Sequence, residues 1–316
     1  MTDTIGAVTP IAEAVDLARY GTKAASLAEL AKAGLPVPDA FCIPADAYRE
    51  HTERAGLKSL VAILRGVPSD APPISLTPIL QRIRSSIIHT PLDPGLVEAV
   101  RAAYAGLGSA AVSVRSSITV PDLVTGPLMG RHGTYFTPGF DETLHAITHC
   151  WTSLWGDLAW RDRDAAGLAD ADVAVAVVVQ KLIPATASGV VFTADPQTGD
   201  TDTVIVESCY GLAEAIVAGK VKPDRFTLAR EGLAVLTSDV HPKAVRLLLD
   251  DGGRVVQRVV PPDLTAAASI SPYEVREIAA LALNIEHIVG SAAVVEWARA
   301  AGATWLLQAR PLQVGR

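Results

Sequence analysis

Apolar residues in the N-terminal third of the chain recur at the spacing of helices. They repeat every three or four positions over residues 24–33, which predicts an amphipathic helix. Gly34 follows where a helix commonly ends, and Pro36 and Pro38 prevent its continuation. The same reasoning predicts further helices at 45–64, 79–88 and 96–105.

The pattern changes near Ala110. A short apolar strand is predicted at 111–115, followed by a segment rich in glycine and proline over 116–139. The next helix has one apolar face, formed by Leu144, Ile147, Trp151 and Leu154. Beyond Gly167 strands dominate, with candidates at 174–182, 189–194, 204–208, 255–260, 293–297 and 305–308.

Two helices interrupt these later strands, at 212–217 and 272–289. Ser271 is suited to be the N-cap of the second helix and Pro272 its first residue. There is no internal repeat and no low-complexity tract. The order of elements predicts an α+β fold with two lobes that meet near Lys181.

The composition agrees with a folded chain of one large domain or two modest ones. Apolar residues make up 49% of the 316 residues and charged residues 19%, which excludes a largely disordered chain. The net charge of −7 argues against a nucleic-acid or anionic-membrane surface. No apolar run approaches the ~20 residues that span a bilayer, and the first residues do not resemble a secretory signal.

Three cysteines, Cys42, Cys150 and Cys209, lie far apart and form no CxxC pair. We interpret them as reduced thiols of a cytoplasmic protein.

Common nucleotide and hydrolase motifs are absent. No GxxxxGK[ST] or GxSxG string occurs, and Gly106-Leu-Gly-Ser-Ala-Ala lies between a helix and a strand in the reverse of the Rossmann order. His145 and His149 have the i, i+4 spacing of metal ligands, but no third ligand accompanies them. We interpret them as an exposed or capping pair.

Several polar residues stand in apolar or glycine-rich surroundings. Lys23 is at the mouth of the first helix, where backbone amides and the helix dipole favour an anion, although a solvated lysine fits equally. Arg115 ends an apolar strand, so its charge must be paired or face a cavity. The hydroxyls of 116–119 and the glycines of 126–133 resemble a phosphate cradle, although the glycines alone also fit a surface loop.

A second group of polar residues belongs to the predicted strands. Gln180 ends a strand of valine and alanine, Glu296 is in the middle of an apolar strand, and Gln308 is near the end of another, followed by Arg310. Carboxylate and amide oxygens are ligands that Mg²⁺ prefers. Each residue alone could be a paired core group, but their joint occurrence favours a site lined by sheet residues.

These residues occur within a series of strings that runs in order along nearly the whole chain. The strings are Gly21-Thr-Lys-Ala-Ala-Ser-Leu, Val114-Arg-Ser-Ser, Cys150-Trp-Thr-Ser-Leu-Trp, Val179-Gln-Lys, Ser188-Gly-Val-Val-Phe-Thr-Ala-Asp-Pro, Gly211-Leu-Ala-Glu, Pro223-Asp, Val295-Glu-Trp-Ala and Leu307-Gln-Ala-Arg-Pro. The series resembles the ATP-binding, ATP-grasp-type domain shared by phosphoenolpyruvate synthase, pyruvate phosphate dikinase and rifampin phosphotransferase.

The resemblance implies an ATP-grasp-like α+β fold. Two lobes with mainly antiparallel sheets and flanking helices would enclose a nucleotide cleft. The N-terminal lobe would span 1–182, with a phosphate lid at 116–139, and the C-terminal lobe would span 183–316.

The resemblance also implies a set of ligand contacts. The residues at positions where the family contacts ATP are Lys23, Arg115, Gly130, Thr134, Gln180, Glu296, Gln308 and Arg310. Glu296 and Gln308 would also hold Mg²⁺. Lys23 and Arg115 would be catalytic, neutralising charge on the transferred phosphoryl groups beneath a lid at 126–133.

Three strings depart from the family pattern. The acidic pair after the serines is reduced to Asp122, and the lid carries Arg131 and His132 in place of Gln-Gln-Glu. Gly-Leu-Gly-Glu becomes Gly211-Leu-Ala-Glu. These changes leave the phosphoryl acceptor open, and His132 is either a phosphate contact or a histidine on the lid surface.

Full-length relatives also carry a Gly-Gly-X-Thr-X-His phospho-acceptor. The sequence stops soon after Gln308-Ala-Arg-Pro, and its one Gly-Gly, at 252–253, has no nearby histidine. We therefore expect a histidine-bearing phosphocarrier domain or subunit as a partner, together with a small-molecule acceptor.

Three functions are compatible with these observations. The first is the ATP-binding part of a dikinase-type phosphotransferase, which passes a phosphoryl group to a histidine elsewhere and leaves AMP and phosphate. The second is a self-sufficient ATP-grasp kinase or ligase that acts on a small metabolite. The third is a non-catalytic nucleotide-binding partner.

Overall fold

The computed structural model describes residues 8–67, 72–108, 111–120 and 133–313. The helices and antiparallel strands of these residues confirm the predicted mixed fold. The chain forms two compact units, each described by itself below. Unit 1 draws on Met1–Ala28 and Asp39–Leu182, and unit 2 on Glu29–Pro38 and Ile183–Arg316.

Unit 1 combines a five-stranded antiparallel sheet with helices. Its strands are β1 (Thr9–Pro10), β2 (Ala40–Ile43), β3 (Val112–Ile118), β4 (Thr134–Thr137) and β5 (Val175–Lys181), in the order β1-β2-β5-β3-β4. Its helices are α1 (Leu17–Lys32, of which the last turn belongs to unit 2), α2 (Ala45–Arg54), α3 (Leu57–Arg65), α4 (Thr77–His89), α5 (Pro94–Gly106), α6 (Phe140–Thr152) and α7 (Asp157–Ala165).

Helix α6 packs on one face of this sheet. The Tyr135 ring of β4 lies 5.8 Å from the His149 ring of α6, centroid to centroid. On the same face Thr137 and Thr143 share a hydrogen bond of 2.8 Å between their hydroxyls. Because side chains alternate along a strand, Thr134 and Phe136 of β4 point to the opposite face.

Two predictions for unit 1 need correction. The single helix predicted at 45–64 is two helices, because Gly56 takes a left-handed conformation with φ of 69° between them. Arg115 does not end its strand, since β3 continues through Ser116 and Ser117 to Ile118, within the segment described above as rich in glycine and proline. The apolar partner strand β5 pairs with the whole of this extension.

Unit 2 is built around a six-stranded antiparallel sheet. Its strands are β6 (Ala187–Phe192), β7 (Thr203–Tyr210), β8 (Asp224–Ala229), β9 (Val235–Asp239), β12 (Ala293–Ala300) and β13 (Ala303–Pro311), in the order β13-β12-β6-β7-β8-β9. A separate hairpin consists of β10 (Val245–Leu249) and β11 (Val255–Val259). The helices are α8 (Glu214–Val217), α9 (Pro262–Thr265) and α10 (Pro272–Val289).

The hydrophobic core of unit 2 lies between one face of this sheet and α10. Trp297 and Val206 of the sheet and Ile278 and Ile285 of the helix are buried in one cluster. Strands β6 and β7 approach each other closely at Gly189, where an added Cβ would lie 1.8 Å from the carbonyl oxygen of Glu207. The glycine of the Ser188-Gly189 string is therefore required by packing.

Helix α10 has the predicted bounds and the predicted cap. The Ser271 hydroxyl accepts a hydrogen bond from the Glu274 amide at 3.3 Å, and the Glu274 carboxylate accepts one from the Ser271 amide at 2.7 Å. Within the described residues no helix has the length and apolar character needed to cross a membrane.

Candidate functional site

Three of the predicted ATP contacts share one face of the unit 1 sheet. Arg115 of β3 lies directly opposite Thr134 of β4, and Ser113, two residues before Arg115, lies opposite Gln180 of β5. Opposed residues of an antiparallel pair point to the same side, so Arg115, Thr134 and Gln180 project from the face that α6 does not cover. The strand register thus brings together side chains far apart in sequence.

Lys23 is held against the same strand. Its Nζ donates a hydrogen bond to the main-chain oxygen of Ser116 at 2.9 Å. The Ala24 amide donates to the Ser117 hydroxyl at 3.1 Å. The start of α1 is therefore fixed beside Arg115. The cationic residues Lys23 and Arg115 of unit 1 thus lie near each other.

The two central side chains of this face are almost inaccessible. Arg115 is 8% exposed and Gln180 is 1% exposed. Among the described residues, the Gln180 amide nitrogen Nε2 has no hydrogen-bond partner. A buried donor without a partner costs free energy, so such a group is commonly one that a ligand or water satisfies. Gln180 has this property expected of a ligand contact.

Glu296 and Gln308 are a cross-strand pair in unit 2. They lie directly opposite each other on β12 and β13, and the register shifts by a bulge immediately after Glu296. Arg310 is two residues further along β13, on the same face. The neighbouring residue Val295 points the other way, into the core. The three predicted contacts therefore share the sheet face opposite the core.

Glu214 is a further acidic residue near this pair, and the sequence-based site did not include it. Burial raises the pKa of Glu214, Lys220 opposes that rise, and the negative charge of Glu296 adds to it. The carboxylates of Glu214 and Glu296 are thus close enough to interact. The signal for Glu214 in the sequence is the Gly211-Leu-Ala-Glu string, one of those that carry the family resemblance.

The donor set of unit 2 suits a hard cation. Glu296 supplies a carboxylate and Gln308 an amide oxygen, which are the ligand types that Mg²⁺ takes, and Mg²⁺ usually keeps several waters and phosphate oxygens as well. No group of three or more His, Cys, Asp or Glu residues suited to a metal occurs in the described part of the chain. Two oxygen donors leave room for the water and phosphate ligands that Mg²⁺ usually keeps.

The remaining candidate residues lie either outside the described residues or on the exposed side of α6. Gly130 and the departures Asp122, Arg131 and His132 lie outside the described residues, as do all of residues 121–132 of the predicted lid. His145 and His149 are exposed on α6, as expected for a surface pair.

The three cysteines are free, as predicted, and the structure shows that they are also buried. Burial raises the pKa of the Cys150 and Cys209 thiols to about 12, so neither is a ready nucleophile.

The chain belongs to the family described as the AMP/ATP-binding domain of pyruvate phosphate dikinase, which it matches over residues 17–316. It is therefore an ATP-binding domain of the dikinase type.

Three relatives show the range of this family. The chain is 37% identical to the prodigiosin synthesizing transferase PigC of Serratia marcescens, over 93% of the chain and 31% of that protein. It is 35% identical to a probable phosphoenolpyruvate synthase of Methanocaldococcus jannaschii, over 94% of the chain and 26% of that protein. It is 32% identical to a rifampicin phosphotransferase of a Streptomyces species, over 95% of the chain and 35% of that protein. The chain thus spans about a third of the length of these curated relatives.

Proposed function

We propose that this chain is the Mg-ATP-binding part of a dikinase-type phosphotransferase in the cytoplasm. ATP, a histidine on a separate domain or chain and water would give phosphohistidine, AMP and phosphate. A small molecule then takes the phosphoryl group from the histidine. In this proposal the chain has an ATP-grasp-like fold.

The observation that carries the proposal is the Glu296–Gln308 pair. A carboxylate and an amide are opposed on the sheet face that does not form the core, beside Arg310. A carboxylate–amide pair on the sheet face opposite the core, in a domain of an ATP-binding family, is best explained as the ligand pair for the nucleotide's Mg²⁺. Bound Mg²⁺ would neutralise phosphate charge during transfer.

The residues of unit 1 have complementary roles in this proposal. The Arg115 guanidinium and the Lys23 ammonium bind phosphate oxygens and stabilise the negative charge that they carry in the transition state. Gln180 donates its partnerless amide N–H to the nucleotide, and Thr134 and Gly130 contact the phosphates. Because Arg115 stands on the sheet and the start of α1 is fixed beside it, little backbone reorganisation is needed when ATP binds.

The metal contact is tested by titrating Mg-ATP into Glu296→Gln. We expect the dissociation constant to rise at least about tenfold, which corresponds to ~1.4 kcal/mol. Asp239→Asn is the matched control, since Asp239 lies in the same cross-strand row at the far edge of the sheet. Equal, unchanged affinity in both folded variants would refute the site.

The phosphate contact of unit 1 is tested with Arg115→Met. Arg163 is the matched control because it is also buried, but it binds the Leu154 carbonyl and Asp170. We expect both variants to lose stability and only Arg115→Met to lose affinity for Mg-ATP. Parallel losses of affinity would contradict a direct role for Arg115.

The reaction is tested by chromatography of nucleotides after incubation with Mg-ATP, with and without a histidine-bearing domain from a relative. AMP that appears only with that domain is the expected result. Turnover by the chain alone would favour a self-sufficient kinase or ligase. That alternative is supported by the 37% identity to a transferase named for prodigiosin synthesis. Binding without turnover under both conditions would indicate a non-catalytic nucleotide-binding protein.

A further inference from the structure

The start of α1 is joined to strand β3 by contacts that the proposed roles do not explain. We propose that Ser117 is a positioning residue, which holds the backbone of Lys23 in place while the Lys23 ammonium exchanges its partner for a phosphate. This inference rests on the proposed function, because it presumes that Lys23 contacts the nucleotide.

The regular part of α1 begins a few residues after Leu17. The backbone of α1 is non-helical at Gly21, with φ of 75° and ψ of 173°, so the regular helix starts at Thr22. The first amides of a regular helix lack a helical carbonyl four residues earlier, so other groups commonly cap them. The Ser117 hydroxyl accepts one of them, the Ala24 N–H, at 3.1 Å. A serine from a strand 93 residues away thus caps the helix.

The start of α1 approaches strand β3 very closely at Gly21. A Cβ on Gly21 would lie 2.5 Å from the main-chain carbon and oxygen of Ser117 and from its hydroxyl. That separation is shorter than real contacts, and the positive φ also favours glycine. Only a glycine therefore permits the approach that brings Ser117 within reach of the Ala24 amide.

Two neighbouring serines, Ser116 and Ser117, contact different parts of the start of α1. The Lys23 Nζ binds the main-chain oxygen of Ser116, a bond that an arriving phosphate can replace. The hydroxyl of Ser117 is fully buried and binds the backbone of the helix, so a ligand does not compete for it. Ser117 thus fixes the backbone of Lys23, while the ammonium group exchanges the Ser116 carbonyl for a phosphate oxygen.

The test compares two cap-removing variants of unit 1. Ser117→Ala removes the cap beside Lys23, whereas Asp93→Ala removes the cap of α5, where the Asp93 carboxylate accepts from Gly95 and Leu96 at 2.8 and 3.1 Å. We expect both to lower the melting temperature. Only Ser117→Ala should weaken Mg-ATP binding, by about tenfold or ~1.4 kcal/mol. Ser117→Thr, which keeps the hydroxyl, should restore most of the affinity.

A double-mutant cycle separates positioning from a general structural role. If Ser117 acts through Lys23, Ser117→Ala should have little further effect on affinity in a Lys23→Met background. Additive losses would overturn the inference and leave the proposed site intact. Full affinity in Lys23→Met alone would instead count against the proposed role of Lys23.

A milder variant covers the case in which Ser117→Ala does not fold. Ser117→Cys keeps the size of the side chain and replaces the hydroxyl with a weak acceptor. We expect it to fold and to lose several-fold in affinity for Mg-ATP, again only when Lys23 is present. An unchanged affinity for a folded Ser117→Cys protein would overturn the inference.

Discussion

The proposed contact gives Gln180 opposite effects on the stability of the fold and on nucleotide binding. A buried amide with no partner among the described residues is unfavourable for folding, yet it is available to a ligand. Replacing it by methionine, which has a similar shape, removes the unpaired group without opening a cavity.

We therefore expect Gln180→Met to leave the melting temperature unchanged or to raise it, and to weaken Mg-ATP binding about tenfold, which is ~1.4 kcal/mol. Thermal unfolding and calorimetric titration of the same preparation measure both effects. A fall of several degrees together with unchanged affinity would show that the amide serves the fold.

His51 makes the stability of unit 1 depend on pH. Burial lowers the pKa of its imidazole, the hydrogen bond from Nε2 to the Ile87 carbonyl at 2.8 Å partly opposes this, and Arg54 lowers it further. The neutral ring also packs on Trp151, with 4.7 Å between ring centroids. The unfolded chain therefore binds a proton at this histidine more readily than the native state does.

The stabilising contribution of neutral His51 should be present above about pH 6.5, the pKa of an unperturbed histidine. It should be lost progressively as the pH falls from there toward the lower pKa of the folded state. Urea unfolding between pH 7 and pH 5 measures it. His51→Gln should flatten this part of the profile, whereas the exposed His145→Gln should leave it unchanged. A steep profile in both variants would assign the effect elsewhere.

At the scale of elements, one buried ion pair joins the β10–β11 hairpin to the main sheet of unit 2. Lys243, just before β10, and Asp224, at the start of β8, form a salt bridge with both side chains fully buried. Asp224 also accepts hydrogen bonds from the Ser269 amide and hydroxyl at 2.8 and 2.7 Å. The hairpin in turn binds the turn before α8, since the Leu212 amide donates to the Leu247 carbonyl at 2.9 Å.

Breaking one side of this pair should be costly. We expect Lys243→Met to lower the free energy of unfolding by about 3–5 kcal/mol, because a buried carboxylate is left without its cation. The exposed Arg19–Asp46 pair, at 3.2 Å, is the control, and Arg19→Met should cost about 0–1 kcal/mol. Similar losses in the two variants would mean that burial does not govern the strength of the Lys243 pair.

The elements that the sequence predicted well share strong local signals. Helix α10 has a serine cap, a proline start and a regular apolar face, and its bounds agree with the prediction. Strand β5 is an almost unbroken apolar run. The strands β2, β4, β8, β9 and β10 and the helix α7 were not predicted, because they are short or largely polar and their form depends on pairing or packing with distant residues.

At the scale of the whole molecule, a bound nucleotide should stabilise the chain through mass action. Mg-ATP at about 100 times its dissociation constant should add ~2.7 kcal/mol to the free energy of unfolding. Removing Mg²⁺ with a chelator should abolish most of this gain, because the proposed Glu296–Gln308 contact is made through the metal. Thermal scans with ATP, with and without Mg²⁺, measure the effect. Equal stabilisation under both conditions would argue that the metal pair is not used.

The sequence alone determined the family, the mixed fold and the identity of the candidate residues. Motif strings and apolar periodicity are local properties, so they are visible in the sequence without any knowledge of the tertiary structure. Spatial neighbourhood was decided only by the tertiary structure. Strand register placed Arg115, Thr134 and Gln180 on one face and opposed Glu296 to Gln308, while packing at Gly21 brought Ser117 to the start of α1. Such contacts depend on pairing between segments that are distant along the chain, which no local pattern encodes.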